Sequence, residues 1–478
     1  MRRRQVLAAG AAAAALLGAG CAQAAPAATT AMASTSSVAT SAAAGGTAGP
    51  WGRAIPVPGL TALNKGRNAS VLSVSCFSAG NCGAGGYYHN RGRRGFVVSE
   101  SNGRWGQAIE VPGLAALNNG GPSQVNQVSC PSAGSCAAAG FYRVGSAHHQ
   151  GFVVNRSNGR WRPAIAVPGL AALNKGGDAK VSSVSCASAG SCAAAGFYTD
   201  SSGHVQGFVI SESNGRWHQA IEVPGLAVLN TGGDAKVSSV SCASAGSCSA
   251  GGFYSDTTGG TQAFVVSERN GSWGTAQQVA ANLTSGQGAF VDTVSCSSPG
   301  NCAAGGEFND ASGGAPAQYQ AFVISEVNGA WAAARAVAGT QSSSGDAVVT
   351  SVSCGSAGNC VAGGQFDYGG YNAAFLVNEK NGSWGKMMYV PGLNKVSRDA
   401  YLQSVSCASP GNCAVGGDYD LGNFLAVEKN GVWGKETPVP GTLRIDSVQS
   451  VSCATAGSCV AGGSYVGTGR YNLQGYVT

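Results

Sequence analysis

The chain has 478 residues, only 10% of them charged, with 75 glycines and a formal net charge of +6. Those charges are scattered, and Arg2, Arg3 and Arg4 account for three of the positive ones, which argues against nucleic acid or an anionic membrane as a partner. The length allows three average domains, but large all-β assemblies run long as single units.

In chain order, the first element is MRRRQVLAAGAAAAALLGAGCAQAA, a basic start, a short apolar run and small residues. It reads as an export signal over residues 1–24, too short and alanine-rich for a permanent span. Two endings are compatible with it. Ala22-Gln23-Ala24 suits cleavage before Ala25, whereas Gly18-Ala19-Gly20-Cys21 suits lipidation of Cys21. Lipidation would give the protein its one contact with a membrane. Residues 25–48, rich in Ala, Ser and Thr, read as a flexible tether.

From residue 49 onward the sequence repeats. One unit is VSSVSCASAGSCAAAGFYTDSSGHVQGFVISESNGRWHQAIEVPGL, Val181 to Leu226. Four strands are predicted in it: 181–186, 192–198, 206–212 and 216–224. β-branched and aromatic residues fill them, and Gly, Ser and Asn clusters separate them. Asn214-Gly215 supplies the two positive φ angles of a type I′ hairpin turn between the third and fourth strands. The same dipeptide follows the third strand in six other units.

A cysteine pair with five residues between recurs eight times: Cys76/Cys82, Cys130/Cys136, Cys186/Cys192, Cys242/Cys248, Cys296/Cys302, Cys354/Cys360, Cys407/Cys413 and Cys453/Cys459. With Cys21 these make up all 17 cysteines. In an exported protein each pair is expected to be a disulfide across one hairpin, contributing about 2 kcal/mol on the chain-entropy model. Redox or metal chemistry is the weaker reading, because no histidine repeats with the pairs.

The eighth unit stops at Gln474-Gly475-Tyr476-Val477-Thr478, within its third strand. Its fourth strand is found at the other end of the chain, as Gly49-Pro50-Trp51-Gly52 through Pro58. Eight tryptophans each open a fourth strand, and Trp51 is the first. Eight complete units therefore exist only if the termini meet, so the predicted fold is all-β: an eight-bladed β-propeller of four-stranded blades, closed by the N-terminal strand. Residues 49–478 form this domain, and a monomer is expected.

The words SVSCxSAGxCxAGG, FVVSExNGxWG and VPGLxALNxGG together resemble a recurrent secreted repeat of actinobacteria that is read as propeller-like. The resemblance covers residues 49–478 and implies no nameable activity. Unit size is similar to that of Kelch-type repeats. Ser99-Glu100-Ser101-Asn102-Gly103-Arg104-Trp105 resembles, in degenerate form, the Asp-box hairpin of sialidase-like propellers, which is structural.

Function is expected on the face formed by the variable loops, those between second and third strands and those leading to the next blade. Candidate ligand-binding residues there are Tyr88, His89, Arg91, Arg93, Arg94, Tyr142, His148, His149, Tyr198, Asp200, His204, Tyr254 and Asp256. One aromatic ends each second strand, as Tyr88, Tyr142, Tyr198 and Tyr254 do. Such a ring reads either as stacking platforms for sugars or as core between blades, and its periodicity favours core. Asp178, Asp200, Asp234 and Asp256 suit either calcium or turns that bond their own backbone, and turns are favoured. Calcium is the one cofactor considered. Glu100, Glu212, Glu268, Glu326, Glu379 and Glu428, beside the constant turns, are expected to be solvated or cross-strand partners. No nucleophile with a matched base, no HExxH and no phosphate loop is present. The expectation is a secreted or surface-tethered, non-catalytic module binding a glycan or envelope polymer. The alternatives are a glycoside hydrolase or lyase using the same face, and a scaffold that binds protein.

Overall fold

The computed structural model describes residues 51–145, 148–284, 288–310, 318–340, 345–393, 399–420, 422–441, 443–469 and 472–478. The expected export signal and tether, with Cys21, fall outside the described residues. The remainder is a ring of eight antiparallel sheets, a β-propeller. In the third blade, strands Ala179–Ser188, Ser191–Thr199 and Val205–Ser213 pair in sequence order. The predicted fourth strand is broken in two. Arg216–Trp217 and Ile221–Glu222 both pair with Val205–Ser213. Six of the blades share this broken outer strand.

Each first strand carries a bulge, which in the third blade falls between Val181 and Ser183. The facing residue is Gly196, where a Cβ would press against the Lys180 carbonyl oxygen, and the same close approach recurs in all eight blades. The Asn-Gly turns are as expected, with Asn214 at φ 52° and Gly215 at φ 74°. Gly215 N–H donates to Gly190 O at 2.9 Å, tying that turn to the Ser-Ala-Gly turn of the same blade. The two constant turns therefore form one end of every blade that has both.

The seam closes as the tryptophan count requires. Ile55 and Pro56 pair with Val477 and Tyr476, and Val57 N–H donates to Gly475 O at 3.0 Å. Trp51 is buried between the seventh and eighth blades.

The first strands line the inside of the ring, each touching the next, the eighth touching the first. As sheet edges they expose unpaired N–H groups, which must find partners when buried. The serines of the SVSC word supply them. Ser183 and Ser185 hydroxyls accept from Val240 and Cys242 N–H of the next blade, both at 3.0 Å. Ser450 and Ser452 do the same for Val74 and Cys76, at 3.0 and 2.9 Å, and so complete the circle.

All eight cysteine pairs are disulfides, with Cα atoms 3.9–4.0 Å apart. Cys186 and Cys192 stand directly opposite each other in the ladder. The second cysteine of every pair is buried: Cys82, Cys136, Cys192, Cys248, Cys302, Cys360, Cys413 and Cys459. A sulfur held in a bridge has no thiolate to offer a metal or a substrate. The blades differ in one respect that the uniform repeat does not predict. Cys136, Cys192, Cys248 and Cys302 also face the third strand, pairing with Arg156, Glu212, Glu268 and Glu326. Cys82, Cys360, Cys413 and Cys459 do not. There the ladder to the third strand ends beyond the cysteine, at Gly83, Val361, Ala414 and Gly462.

The hydrophobic core is divided into eight clusters, one at each blade interface. Around Val237 and Val240, for example, Ala193, Ala195 and Val209 of the third blade meet Phe264 and Val266 of the fourth.

Of the two readings of the repeated glutamates, the structure bears out the cross-strand one: each pairs across its hairpin with a tryptophan, as Glu212 does with Trp217. They are not solvated: Glu100, Glu212, Glu268, Glu326, Glu379 and Glu428 are buried. All but Glu100 accept a hydrogen bond from the preceding blade. Ser211 Oγ donates to Glu268 Oε1 at 2.5 Å and accepts from Trp273 Nε1 at 2.9 Å, so one hydroxyl joins two residues of the next repeat. Burial pushes the Glu212, Glu268, Glu379 and Glu428 carboxyls above the usual range.

Candidate functional site

The variable loops gather at the end of the ring opposite the constant turns. A one-turn helix missed by the strand reading, Leu226–Leu229 between the third and fourth blades, orders this end. It delivers Asn230, whose Nδ2 donates to Val205 O of the preceding blade at 2.9 Å. Asn230 Oδ1 accepts from Ser255 N–H of its own blade at 3.3 Å. Asn174 and Asn64 make the equivalent bridges to His149 and Leu473. The recurrent VPGLxALN word is thus a clamp between neighbouring loops.

The structure separates the predicted site residues into three groups. Tyr88, Tyr142, Tyr198 and Tyr254 are buried between blades, which withholds their rings from a ligand. Tyr88 and Tyr198 hydroxyls donate to Glu110 and Glu222 at 3.0 and 2.8 Å. The aromatic series is therefore core, the reading its periodicity favours.

The second group braces the loops. His149 Nδ1 lies 2.7 Å from Asp178 Oδ1. Burial opposes ionisation of Asp178, but that hydrogen bond, with Lys180 and Lys236 nearby, outweighs it and holds the carboxyl below its ordinary value. Asp200 Oδ1 accepts from Ser202 and His204 N–H at 2.8 and 2.9 Å. Asp256 Oδ1 accepts from Thr258 and Gly260 N–H at 2.9 and 3.1 Å. Both carboxylates bond their own loops, as turn residues do. His89 is half-buried, and burial together with Arg93 lowers its pKa. Arg93 lies 4.5 Å over the Tyr87 ring, and Arg94 approaches Glu110 at 3.9 Å. Among the described residues no group of three or more His, Cys, Asp or Glu is placed to hold a metal ion.

Arg91, His148 and His204 form the third group and face solvent at the loop tips.

Two features escaped the sequence reading. One is a ladder of cations between rings. Lys180 Nζ lies 5.0 Å from Phe141 and 6.0 Å from Phe197, and Lys236 Nζ lies 5.5 Å from Phe197 and 5.4 Å from Phe253. The other is a cluster of exposed tyrosines in the sixth and seventh blades. Tyr368 and Tyr371 stand opposite each other across a Gly-Gly turn and are 66% and 48% exposed. Residues directly opposite in an antiparallel pair share a face. Beside them Asn372 Nδ2 donates to Asp399 Oδ1 at 3.2 Å and to the Tyr401 hydroxyl at 3.1 Å. Tyr401 is itself 36% exposed. The signal was the non-repeated Tyr-Gly-Gly-Tyr at 368–371, hidden by attention to residues that recur.

Acidic groups collect in the same half of the ring. Asp292 and Glu307 are buried close enough to interact. Burial pushes Asp292 up to about 7 and raises Glu307 well above its ordinary value, with Asp292 and Asp346 adding to the latter. Burial also lifts Asp418 to about 7.

No family model matches the chain, and no curated protein does. Solved structures share the propeller fold at low identity. The chain is similar to the GH74 xyloglucanase of Xanthomonas campestris at 10% identity and a TM-score of 0.46, covering 82% of this chain and 56% of that one. It thus spans a little over half the length of that enzyme. It is similar to the β-propeller domain of the Trilobed protease from Pyrococcus furiosus at 7% identity and a TM-score of 0.42, covering 72% and 92% of the two chains. The Hadza microbial sialidase Hz136 matches at 11% identity and a TM-score of 0.36, covering 73% of each. Likenesses of this size say nothing about chemistry.

Proposed function

We propose that the protein is an extracellular binding module that holds a carbohydrate polymer on its variable-loop face without cleaving it. The observation that carries this reading is the pair Tyr368 and Tyr371, large rings left in solvent at the tip of a rigid hairpin. Aromatic faces with amide and carboxylate groups beside them suit sugars, which offer apolar C–H faces and hydroxyl edges. Asn372 and Asp399 supply those polar groups. Eight disulfides suit an oxidising compartment, where such polymers occur.

The test is retention of the protein on a panel of immobilised polysaccharides, with the soluble fraction assayed for released sugar. Tyr368→Ala and Tyr371→Ala should each weaken retention about tenfold while leaving thermal unfolding unchanged. Equal retention by both variants would remove the tyrosine platform. Released sugar would instead favour a hydrolase or lyase, for which Asp418, with its carboxyl lifted to about 7, is the acid to examine first.

A further inference from the structure

Charges that look scattered along the sequence are gathered by the repeat, because the same turn of every unit lands on the same end of the ring. At the constant-turn end, six blades carry a cation next to the Asn-Gly dipeptide: Arg104, Arg160, Arg216, Arg269, Lys380 and Lys429. All six are exposed. Arg269 pairs with Glu326 at 3.5 Å, and the other five have no ion pair among the described residues. Neither constant turn contains an Asp or Glu in any blade, and the carboxylates next to them in sequence are the buried glutamates.

The surface that carries these cations is braced and has apolar tips. In seven blades the N–H of the Asn-Gly glycine donates to the glycine O of the other turn at 2.8–3.0 Å, so both hairpins of a blade end together. Val432 follows Asn430-Gly431 and is 71% exposed, and Val327 precedes Asn328-Gly329 and is 50% exposed. Phe77, beside Cys76, is 48% exposed. Cations with apolar side chains among them suit the boundary of a bilayer, where charged headgroups lie over acyl chains. An anionic polymer in water would meet the same cations and gain little from the apolar tips.

The chain also enters the ring at this end. Gly52 lies against Thr478, whose N–H donates to Ala461 O at 3.0 Å, two residues from Cys459. Cys21, the expected lipidation position, precedes Trp51 by 30 residues. One acyl chain holds a protein at a membrane only marginally, and a basic patch supplies a second attachment.

We infer that the constant-turn end is a docking face for an anionic phospholipid membrane. Seated there, the ring turns its variable-loop end away from the bilayer. The inference goes beyond the carbohydrate reading and does not depend on it, since Tyr368 is at the opposite end.

The experiment is sedimentation of the exported protein with phospholipid vesicles, using Cys21→Ser so that no acyl chain contributes. Vesicles of phosphatidylglycerol and phosphatidylcholine in equal parts should bind at least about tenfold more tightly than phosphatidylcholine alone, and salt should shrink the difference. Lys380→Glu with Lys429→Glu should weaken binding at least about tenfold with thermal unfolding unchanged. Should that pair unfold early, Arg104→Gln with Arg160→Gln should weaken binding severalfold. Phe77→Ser with Val432→Ser should also weaken it severalfold. Arg91→Glu, at a loop tip of the opposite end, should leave it unchanged. The inference is overturned if the vesicles do not bind, if both lipid compositions bind equally well, or if neither pair of cation variants weakens binding. It is also overturned if Arg91→Glu weakens binding as much as they do, or if the Phe77 and Val432 pair binds like the parent. Retention on dextran sulfate without vesicle binding would assign the face to an anionic polymer instead.

Discussion

The two halves of the ring solve one packing problem with different chemistry. Five residues after the second cysteine, blades one to four carry Tyr87, Phe141, Phe197 and Phe253, whereas blades five to eight carry Glu307, Gln365, Asp418 and Ser464. In the first half, lysines lie between those rings and one-turn helices order each incoming linker. In the second half, carboxyls are buried in the same place, and the described parts of the linkers contain no helix. The disulfides and the bond from each first cysteine N–H to the serine before the preceding blade's cysteine recur all round, while Gln127 and Thr293 stand in for the other serine in two blades. The scaffold therefore tolerates replacement of the layer just outside its inner ring, and that layer is where the halves acquire opposite charge.

The most damaging way to break the comparison is at the seam that stitches one half to the other. Removing residues 51–58 exposes the third strand of the eighth blade and leaves Tyr476 and Val477 without cover. The midpoint of thermal unfolding should fall by on the order of ten degrees or more, as expected for the loss of several kcal/mol from a domain this large. An unchanged midpoint would show that the ring does not need closure.

A second test uses pH. Asp292 has a folded pKa of about 7, above the value near 4 expected in an unfolded chain. Its contribution is complete at low pH and is lost as pH rises from about 4 towards 7, because the unfolded chain releases the proton first. Asp178, in the other half, is shifted down. It stabilises above the unfolded value, and that contribution disappears as pH falls through its lower folded pKa. The halves should thus respond to pH in opposite senses. Asp292→Asn should raise stability at pH 7.5 by on the order of a few kcal/mol and change it little at pH 4. Equal effects at both pH values, read from denaturant unfolding, would contradict a protonated Asp292.

Strand count, hairpin turns, disulfides and the seam were legible because each leaves a mark at fixed spacing: Cys186/Cys192, Asn214-Gly215, Trp51 without a partner at the C-terminus. The inter-blade bonds were not. Ser183 and Ser211 look like ordinary polar strand residues, and only the ring geometry brings them to the next blade. For the same reason the reading of Glu212 and its counterparts stayed open between solvated residues and cross-strand partners, and their bonds to the preceding blade were not foreseen. Identical spacing also hid the different ladders around Cys82, Cys360, Cys413 and Cys459, because strand length beyond a bridge leaves no mark in the cysteine pattern. The split outer strand was missed because a strand pattern continues across the break, and the helix at Leu226 because its four residues are too few to show a helical period. For the site, periodicity identified Tyr198 as core. Tyr368 and Tyr371, which break the repeat, are left in solvent.

The smallest expected effect tests whether the two chemistries are interchangeable. Lys236 stands six residues before the first cysteine of its blade, where the fifth blade has Phe290. Lys236 packs between Phe197 and Phe253 and pairs with Asp234 at 3.3 Å. Phe290 meets Phe253 edge-on, with ring centroids 5.0 Å apart, and Tyr319 at 6.0 Å. Lys236→Ala removes the cation and should cost about 1 kcal/mol, since the site is only partly desolvated. Lys236→Phe replaces cation–ring contacts with ring–ring contacts of similar strength and should lie within about 0.5 kcal/mol of the parent. If Lys236→Phe costs as much as Lys236→Ala, the lysine's charge is required where it stands. The halves would then be specialised rather than alternative fillings of the same layer.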